Sequence, residues 1–256
     1  MKTKNLYYAT VFGRTNMLRD LILRFFIMIA SWPRMVLEVF IRTNFGERYF
    51  SLATAITLIV VLGFLPYQMA QSFFGYYGLT FFEYIKLNPL WYLFVVAFGY
   101  FSWKRYQEVK RKPGVFDFAK FTWSTGEKNR KFYDLKWFGQ DPSGRVISTI
   151  YEPAFFLAIG IFLIICHQSL GYLITVCSIC YSLGYAGQYH LGDMFVMDKI
   201  DEMICNEELV ESFVNNRPSH KTKGFEAYGH RPTNEDFRRK VYKTFFEDEP
   251  MASEVF

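Results

Sequence analysis

The chain has 256 residues, a formal net charge of +5 and 20% aromatic residues. Its four cysteines exclude a disulfide scaffold: Cys166, Cys177 and Cys180 fall in apolar stretches and Cys205 in a polar tail, so all four are expected reduced. An ordinary soluble domain is excluded by the 40 residues from Pro153 to Gly192, which hold no Asp, Glu, Lys or Arg, too long for one membrane span of ~20 residues and about right for two.

The segment 1–48 is apolar but regularly charged. Asp20 and Arg24 stand four apart, as do Arg34, Glu38 and Arg42, so each set shares a helix face. Pro33 is expected to break the run into two amphipathic helices, lying in the inner membrane interface or against a partner protein. A span through Arg24 is disfavoured, because a central arginine costs roughly 2.5–3.5 kcal/mol. Arg24 also leaves Leu21–Trp32 too short for the core of a cleavable signal.

Four spans follow, in two hairpins. The first hairpin, 49–103, takes spans at about Phe50–Tyr67 and Pro89–Trp103. The second, 150–190, takes Ile150–Cys166 and Tyr172–Gln188, joined by a tight turn from His167 to Gly171. Three of these spans are short, which suits either a thin bilayer or one re-entrant pair. The segment 1–48 carries eight Lys or Arg and 104–149 carries eleven, whereas 68–88 has only Lys86 and 167–171 has none. Positively charged segments stay in the cytoplasm, so both termini and the 104–149 loop are expected there.

The 104–149 loop is basic and aromatic, with Phe116, Phe118, Phe121, Trp123, Tyr133, Trp137 and Phe138. Residues 114–123 hint at a strand and 141–144 (DPSG) at a turn. A patch for an acidic partner or single-stranded nucleic acid is one reading. A loop resting on anionic lipid headgroups is preferred, and nucleic acid is not expected as a partner. The tail 191–256 differs: from Asp193 onward it holds nine Lys or Arg against fourteen Asp or Glu. Residues 193–214 are expected to be helical, and Thr233 with Asp236 resembles a capping box for a second helix carrying Phe237, Val241 and Phe245. Such a tail suits folding back on the basic loop or docking another subunit.

Candidate sites are few. Cys177, Cys180, Gly184 and Gly187 form one stripe of small residues on the fourth span, read as a helix-packing or subunit interface, against Ala158 and Gly160 of the third span or against another chain. Cys177 and Cys180 are also a Cys-x-x-Cys pair, but with no second pair a metal or redox role is not expected. Tyr181, Tyr185 and Tyr189 line a neighbouring stripe, assigned to packing or interface anchoring ahead of a pocket. Glu152 and Glu83 stand at span ends, where side chains reach water; an ion-path role is considered for Glu152, because an acid at membrane depth marks such paths. His190 and Asp193 share a face just past the fourth span, without further ligands. No catalytic residue, cofactor or metal site is expected.

The fold expected is thus an all-α integral membrane protein of about four transmembrane helices in two hairpins, with amphipathic N-terminal helices and a helical cytoplasmic tail. The leading functional expectation is a non-enzymatic membrane subunit, a scaffold or anchor of a larger assembly such as a secretion, conjugation or energy-transducing machine. Its partners are then the bilayer and other membrane subunits. The alternatives are a channel or transporter for a small neutral substrate, resting on Thr54, Thr57 and the tyrosine stripe, and a lipid-modifying enzyme using His190 and Asp193.

Overall fold

The computed structural model describes residues 3–12, 17–73, 78–109, 121–135 and 141–248. In chain order the elements are β1 (Thr3–Asn5), α1 (Leu6–Val11), α2 (Met17–Ile41), α3 (Leu52–Phe73), α4 (Phe81–Leu87), α5 (Pro89–Val109), α6 (Arg130–Tyr133) and α7 (Gly144–Val146). A π-helical turn, Ile147–Tyr151, leads into α8 (Glu152–Ile165). The chain continues as α9 (Leu170–Leu209), a second π turn (Val210–Val214), a 3₁₀ turn (Ser219–Lys221), α10 (Glu235–Lys243) and β2 (Phe246–Asp248). The protein is predominantly helical; the strands β1 and β2 are three residues each and pair with one another, antiparallel.

Among the described residues three helical stretches are long and apolar enough to cross a membrane: Leu52–Ser72, Gly144–Ile165 and Leu170–Val214. They match the first, third and fourth expected spans. The second lies in α5, where the Trp and Tyr residues together with Lys104, Arg105 and Glu108 keep the helix outside that group.

Residues 23–189 form one compact unit. Here α2 departs from expectation: it is one continuous helix through Pro33. A mid-helix proline removes one backbone hydrogen bond and costs ~3 kcal/mol in isolation. In this chain every residue from Arg34 to Val39 is buried, so packing holds the helix together across the proline. Beyond α2, the backbone of 43–48 runs antiparallel to 122–127, with Gly46 N donating to Ser124 O at 2.8 Å and Arg48 N to Thr122 O at 2.9 Å. A Cβ on Gly46 would fall 2.2 Å from Thr122 O, so only glycine fits this approach. Most of the suggested strand at 114–123 and the aromatics Phe116, Phe118, Trp137 and Phe138 lie outside the described residues. Ser143 of the DPSG motif caps α7, its Oγ accepting from Val146 N at 3.3 Å, so the motif opens a helix where a turn was expected.

The turn between α8 and α9 falls where the sequence puts it, but the left-handed residue is His167 (φ 57°), not the closing glycine. His167 N donates to Ile164 O at 2.9 Å and Gln168 N to Leu163 O at 2.8 Å, which satisfies the last carbonyls of α8. Gly171 serves a different purpose. A Cβ there would stand 2.6 Å from Ile164 N and 2.7 Å from Gly160 O, and a Cβ on Gly160 would stand 2.4 Å from Thr175 Oγ1. The two glycines let α8 and α9 touch backbone to backbone, the contact that small residues permit between membrane helices.

Residues 1–22 and 190–256 form the second unit. Its core is Leu209, Phe213, Val214 and Ala227, with Tyr7, Val241, Phe245 and Phe246 packed on it. Buried Asn5 caps α1, its Oδ1 accepting from Tyr8 N at 3.0 Å, while its Nδ2 donates to Asn206 Oδ1 at 2.5 Å. Tyr7 Oη donates to Tyr228 O at 3.1 Å and accepts from Tyr228 N at 2.6 Å. The expected tail helix at 193–214 is present as the continuation of α9 and its π turn. The cap of α10 is Asn234, one residue past Thr233, with Oδ1 accepting from Asp236 N at 2.8 Å. Val241 and Phe245 join the core, whereas Phe237 is exposed.

Gly160→Ala should lower stability by about 1–3 kcal/mol through overpacking. Gly63→Ala, where nothing lies within 4 Å of the new Cβ, should be neutral or stabilising by up to ~1 kcal/mol on helix propensity. Thermal unfolding of both variants in mild detergent checks the pair, and equal midpoints would remove the close-packing assignment.

Candidate functional site

The most chemically dense place in the 23–189 unit is buried. Arg34, Glu38 and Arg42 lie on successive turns of one face of α2 and its C-terminal end, as their i, i+4 spacing requires. That face points inward: all three are at most 1% exposed. The expectation of a charged face turned toward the membrane interface is therefore corrected. It assumed that charges seek water, and most of the partners that replace water here, Ser148, Glu152, Tyr185 and Gln188 among them, lie more than a hundred residues away.

Arg42 is held on every side. Its Nε donates to both oxygens of Glu152, at 3.2 and 3.1 Å, and Nη2 bonds Glu152 Oε2 as well. Nη2 also donates to Ser148 Oγ at 3.0 Å, and Nη1 to Thr125 O at 3.2 Å and to Tyr185 Oη. Glu152 takes a further hydrogen bond from Tyr181 Oη at 2.6 Å. It is fully buried, which corrects the placement of Glu152 at a water-reaching span end. The π-helical turn just before it puts Ser148 against the same guanidinium; such turns shift helix register, often at functional positions.

Glu38 forms the second half. It accepts from Tyr49 Oη and from Tyr185 Oη, both at 2.6 Å, and Arg34 Nε stands 3.1 Å from its Oε1. With its amide oxygen turned toward Arg34, Gln188 accepts from Nη1 and Nη2 at 3.2 and 3.3 Å. The Tyr185 ring lies between the two guanidiniums, each with its central carbon 4.5 Å from the ring centroid. Two arginines and two glutamates sum to zero charge. A buried ion of this kind is tolerated only when its charge is balanced and its hydrogen-bonding groups are met. Both conditions hold around Arg42 and Glu152.

The cluster ties α2, the segment after it, the π turn, α8 and α9 together. Of the sequence candidates it takes in Glu152, Tyr181 and Tyr185; it adds Tyr49 and Ser148, which sequence reasoning missed, and Arg34, Glu38 and Arg42, which the sequence placed on one helix face but not in a site. A signal was present: α2 carries one positive charge too many on that face, and Glu152 is the lone acid at the edge of a long uncharged run. Tyr189 stays at the border, half-buried, with the Arg145 guanidinium 5.3 Å from its ring centroid.

Two members of the small-residue stripe, Gly184 and Gly187, lie against α2. A Cβ on Gly184 would meet Ala30 at 3.5 Å and Arg34 Nη1 at 3.6 Å, and one on Gly187 would meet Ile27 at 3.1 Å. Cys177 is buried and Cys180 half-buried, both as free thiols. Gly160, expected on the third span opposite this stripe, faces Thr175 of α9. Thr57 is exposed and donates to Ala53 O of its own helix at 3.0 Å. Glu83 forms a capping box with Thr80 on α4, and the Thr80 hydrogen bonds hold its carboxyl below the usual range. His190 and Asp193 both make interactions, and among the described residues no group of three or more His, Cys, Asp or Glu is placed to hold a metal ion.

Removing one partner of the cluster should be severe. Arg42→Ala leaves Glu152 buried without its cation, at a cost of about 3–5 kcal/mol. The double variant Arg42→Met with Glu152→Leu should recover much of that loss, and a double variant no more stable than Arg42→Ala in thermal unfolding would count against the ion pair as the cause. Tyr185→Phe should cost about 1.5–3 kcal/mol, as expected for hydrogen bonds to charged groups. Lys128 bonds the Gly144 carbonyl beside the cluster; burial, and then the Arg42 charge, pull its ammonium below the ordinary lysine value. In the alkaline range between the folded and unfolded values the unfolded chain binds the extra proton, so stability should rise with pH there. Lys128→Met should flatten that rise in unfolding midpoints measured across alkaline pH.

In comparisons with known proteins the chain matches no protein-family model, no curated protein and no solved structure.

Proposed function

We propose that this chain is a multi-pass membrane protein that works as a non-enzymatic scaffold or anchor subunit of a larger membrane assembly, of the secretion, conjugation or energy-transducing kind. The observation that carries the reading is the closed, charge-neutral cluster around Arg42 and Glu152. Its ionisable groups are spent on one another and on three tyrosines, an arrangement suited to fixing helices in one geometry.

The membrane part of the reading rests on apolar surface. Ile56, Val60 and Phe64 on α3, Phe162 and Ile165 on α8, and Val176 and Leu183 on α9 are all exposed. Patches of that extent on a water-soluble monomer are unusual, and a bilayer accounts for them. In this reading α5 is the fourth span. It packs beside α3, its Leu93 and Val96 are exposed, and its Arg105 donates inward to Val39 O at 3.1 Å. Both termini and the basic loop then face the cytoplasm, with anionic lipid headgroups against the loop. The unit of residues 1–22 and 190–256, with its exposed Phe195, Val196, Ile200 and Met203, is the natural place for a partner subunit.

Pull-down of the tagged chain from native membranes in mild detergent tests the proposal. A reproducible, stoichiometric set of co-purifying membrane proteins is expected, and it should be lost when Phe195 and Val196 are changed to Ser. A monodisperse single chain that retains its cellular activity would overturn it.

A further inference from the structure

Where α3, α4, α5 and the start of α9 come together they enclose a cavity of about 670 Å³. That is the size of a small-ligand site. Its floor is buried Leu62 and Ala70 with half-buried Trp91 and Leu173, and Trp91 is fixed by its Nε1 donating to Leu62 O at 2.8 Å. Its rim is Leu65, Met69 and Tyr172, each exposed on a helix that otherwise shows apolar residues outward. From Val61 to Ala70 the cavity follows α3 for ~14 Å of helix rise.

Among the described residues no Asp, Glu, Lys or Arg lines it. Its polar members gather at one end, where the connectors are: Tyr84, Asn88 and Ser169, with Ser169 Oγ donating to Asn88 Oδ1 at 3.3 Å. A water-filled cavity needs polar partners around each water, and these walls supply them only at that end. A charged solute would lose its hydration against Leu62 and Leu173 without a counter-charge. The combination of a long apolar trough, an uncharged polar end and a rim of Leu65, Met69 and Tyr172 suits an amphiphile that enters sideways.

We propose that the cavity is a binding site for one acyl chain of a membrane lipid, lying along α3 with its ester and glycerol oxygens at Asn88 and Ser169. This rests on the membrane reading, so its test must separate the two. The chain is reconstituted into phosphatidylcholine vesicles brominated along the acyl chains, with Trp32, Trp103, Trp123 and Trp137 changed to Phe so that Trp91 alone reports. The expected result is strong quenching of Trp91 that is lost when the floor is filled by Ala70→Phe or, independently, by Leu173→Phe. A second reporter, Phe64→Trp in a chain with Trp91 also changed to Phe, sits on the exposed face of α3 and should stay quenched with either filler. An unquenched Trp91 beside a quenched reporter at 64 would overturn the site and leave the membrane reading standing. Quenching of Trp91 that neither filler relieves would come from bulk lipid at the rim and would also overturn the site. Quenching of neither reporter would remove both the site and the membrane reading.

Discussion

The ion pair between Arg42 and Glu152 organises the 23–189 unit. It joins the end of α2 to the start of α8 in a place closed to water, and everything around it meets the demand this creates. Tyr181 satisfies a remaining lone pair of Glu152, Ser148 and the Thr125 carbonyl occupy other edges of the guanidinium, and Tyr185 carries the network across to Glu38 and Arg34. A buried pair contributes less net stability than its short distances suggest, because both ions lose hydration. Its stronger effect is on uniqueness: a helix shifted by one residue would leave a charge unpaired, so only one register of α2, α8 and α9 is acceptable.

Packing around the cluster obeys the same requirement for close approach. Gly160 and Gly171 bring α8 and α9 into backbone contact, and Gly184 and Gly187 bring α9 against α2. Without these glycines the helices would stand farther apart and the tyrosine hydroxyls would miss their carboxylates. Small residues and the polar cluster are thus one device, the first setting the distance at which the second closes. Arg105 extends it to α5 by capping the Val39 carbonyl at the end of α2, where a cation is also favoured by the helix dipole.

The terminal unit is built on other principles. Its core is small and aromatic, its helix caps are Asn5 and Asn234, and its exposed ion pairs, such as Lys223 with Glu207 at 2.6 Å, contribute little on their own. The tail closes on the first residues of the chain, through Tyr7 and the β1–β2 pair.

Much of the fold was legible from residues alone. Uncharged runs located the apolar helices, the polar turn at His167 located the hairpin, and the periodicity after Asp193 located the tail helix, because each signal is local and hydropathy acts residue by residue. Of the stripe read from spacing, Gly184 and Gly187 lie against α2, a neighbour that spacing alone did not name. What the sequence could not decide was direction. Arg34, Glu38 and Arg42 share a face whether that face meets water or protein, and Pro33 breaks a lone helix but not one whose next six residues are buried. The answer lay in Glu152, Tyr181 and Tyr185, brought close only by the packing of α2 against α8 and α9. Local pattern determines which residues lie together on a helix; only the tertiary structure, by supplying counter-charges from afar, determined that this charged face turns inward.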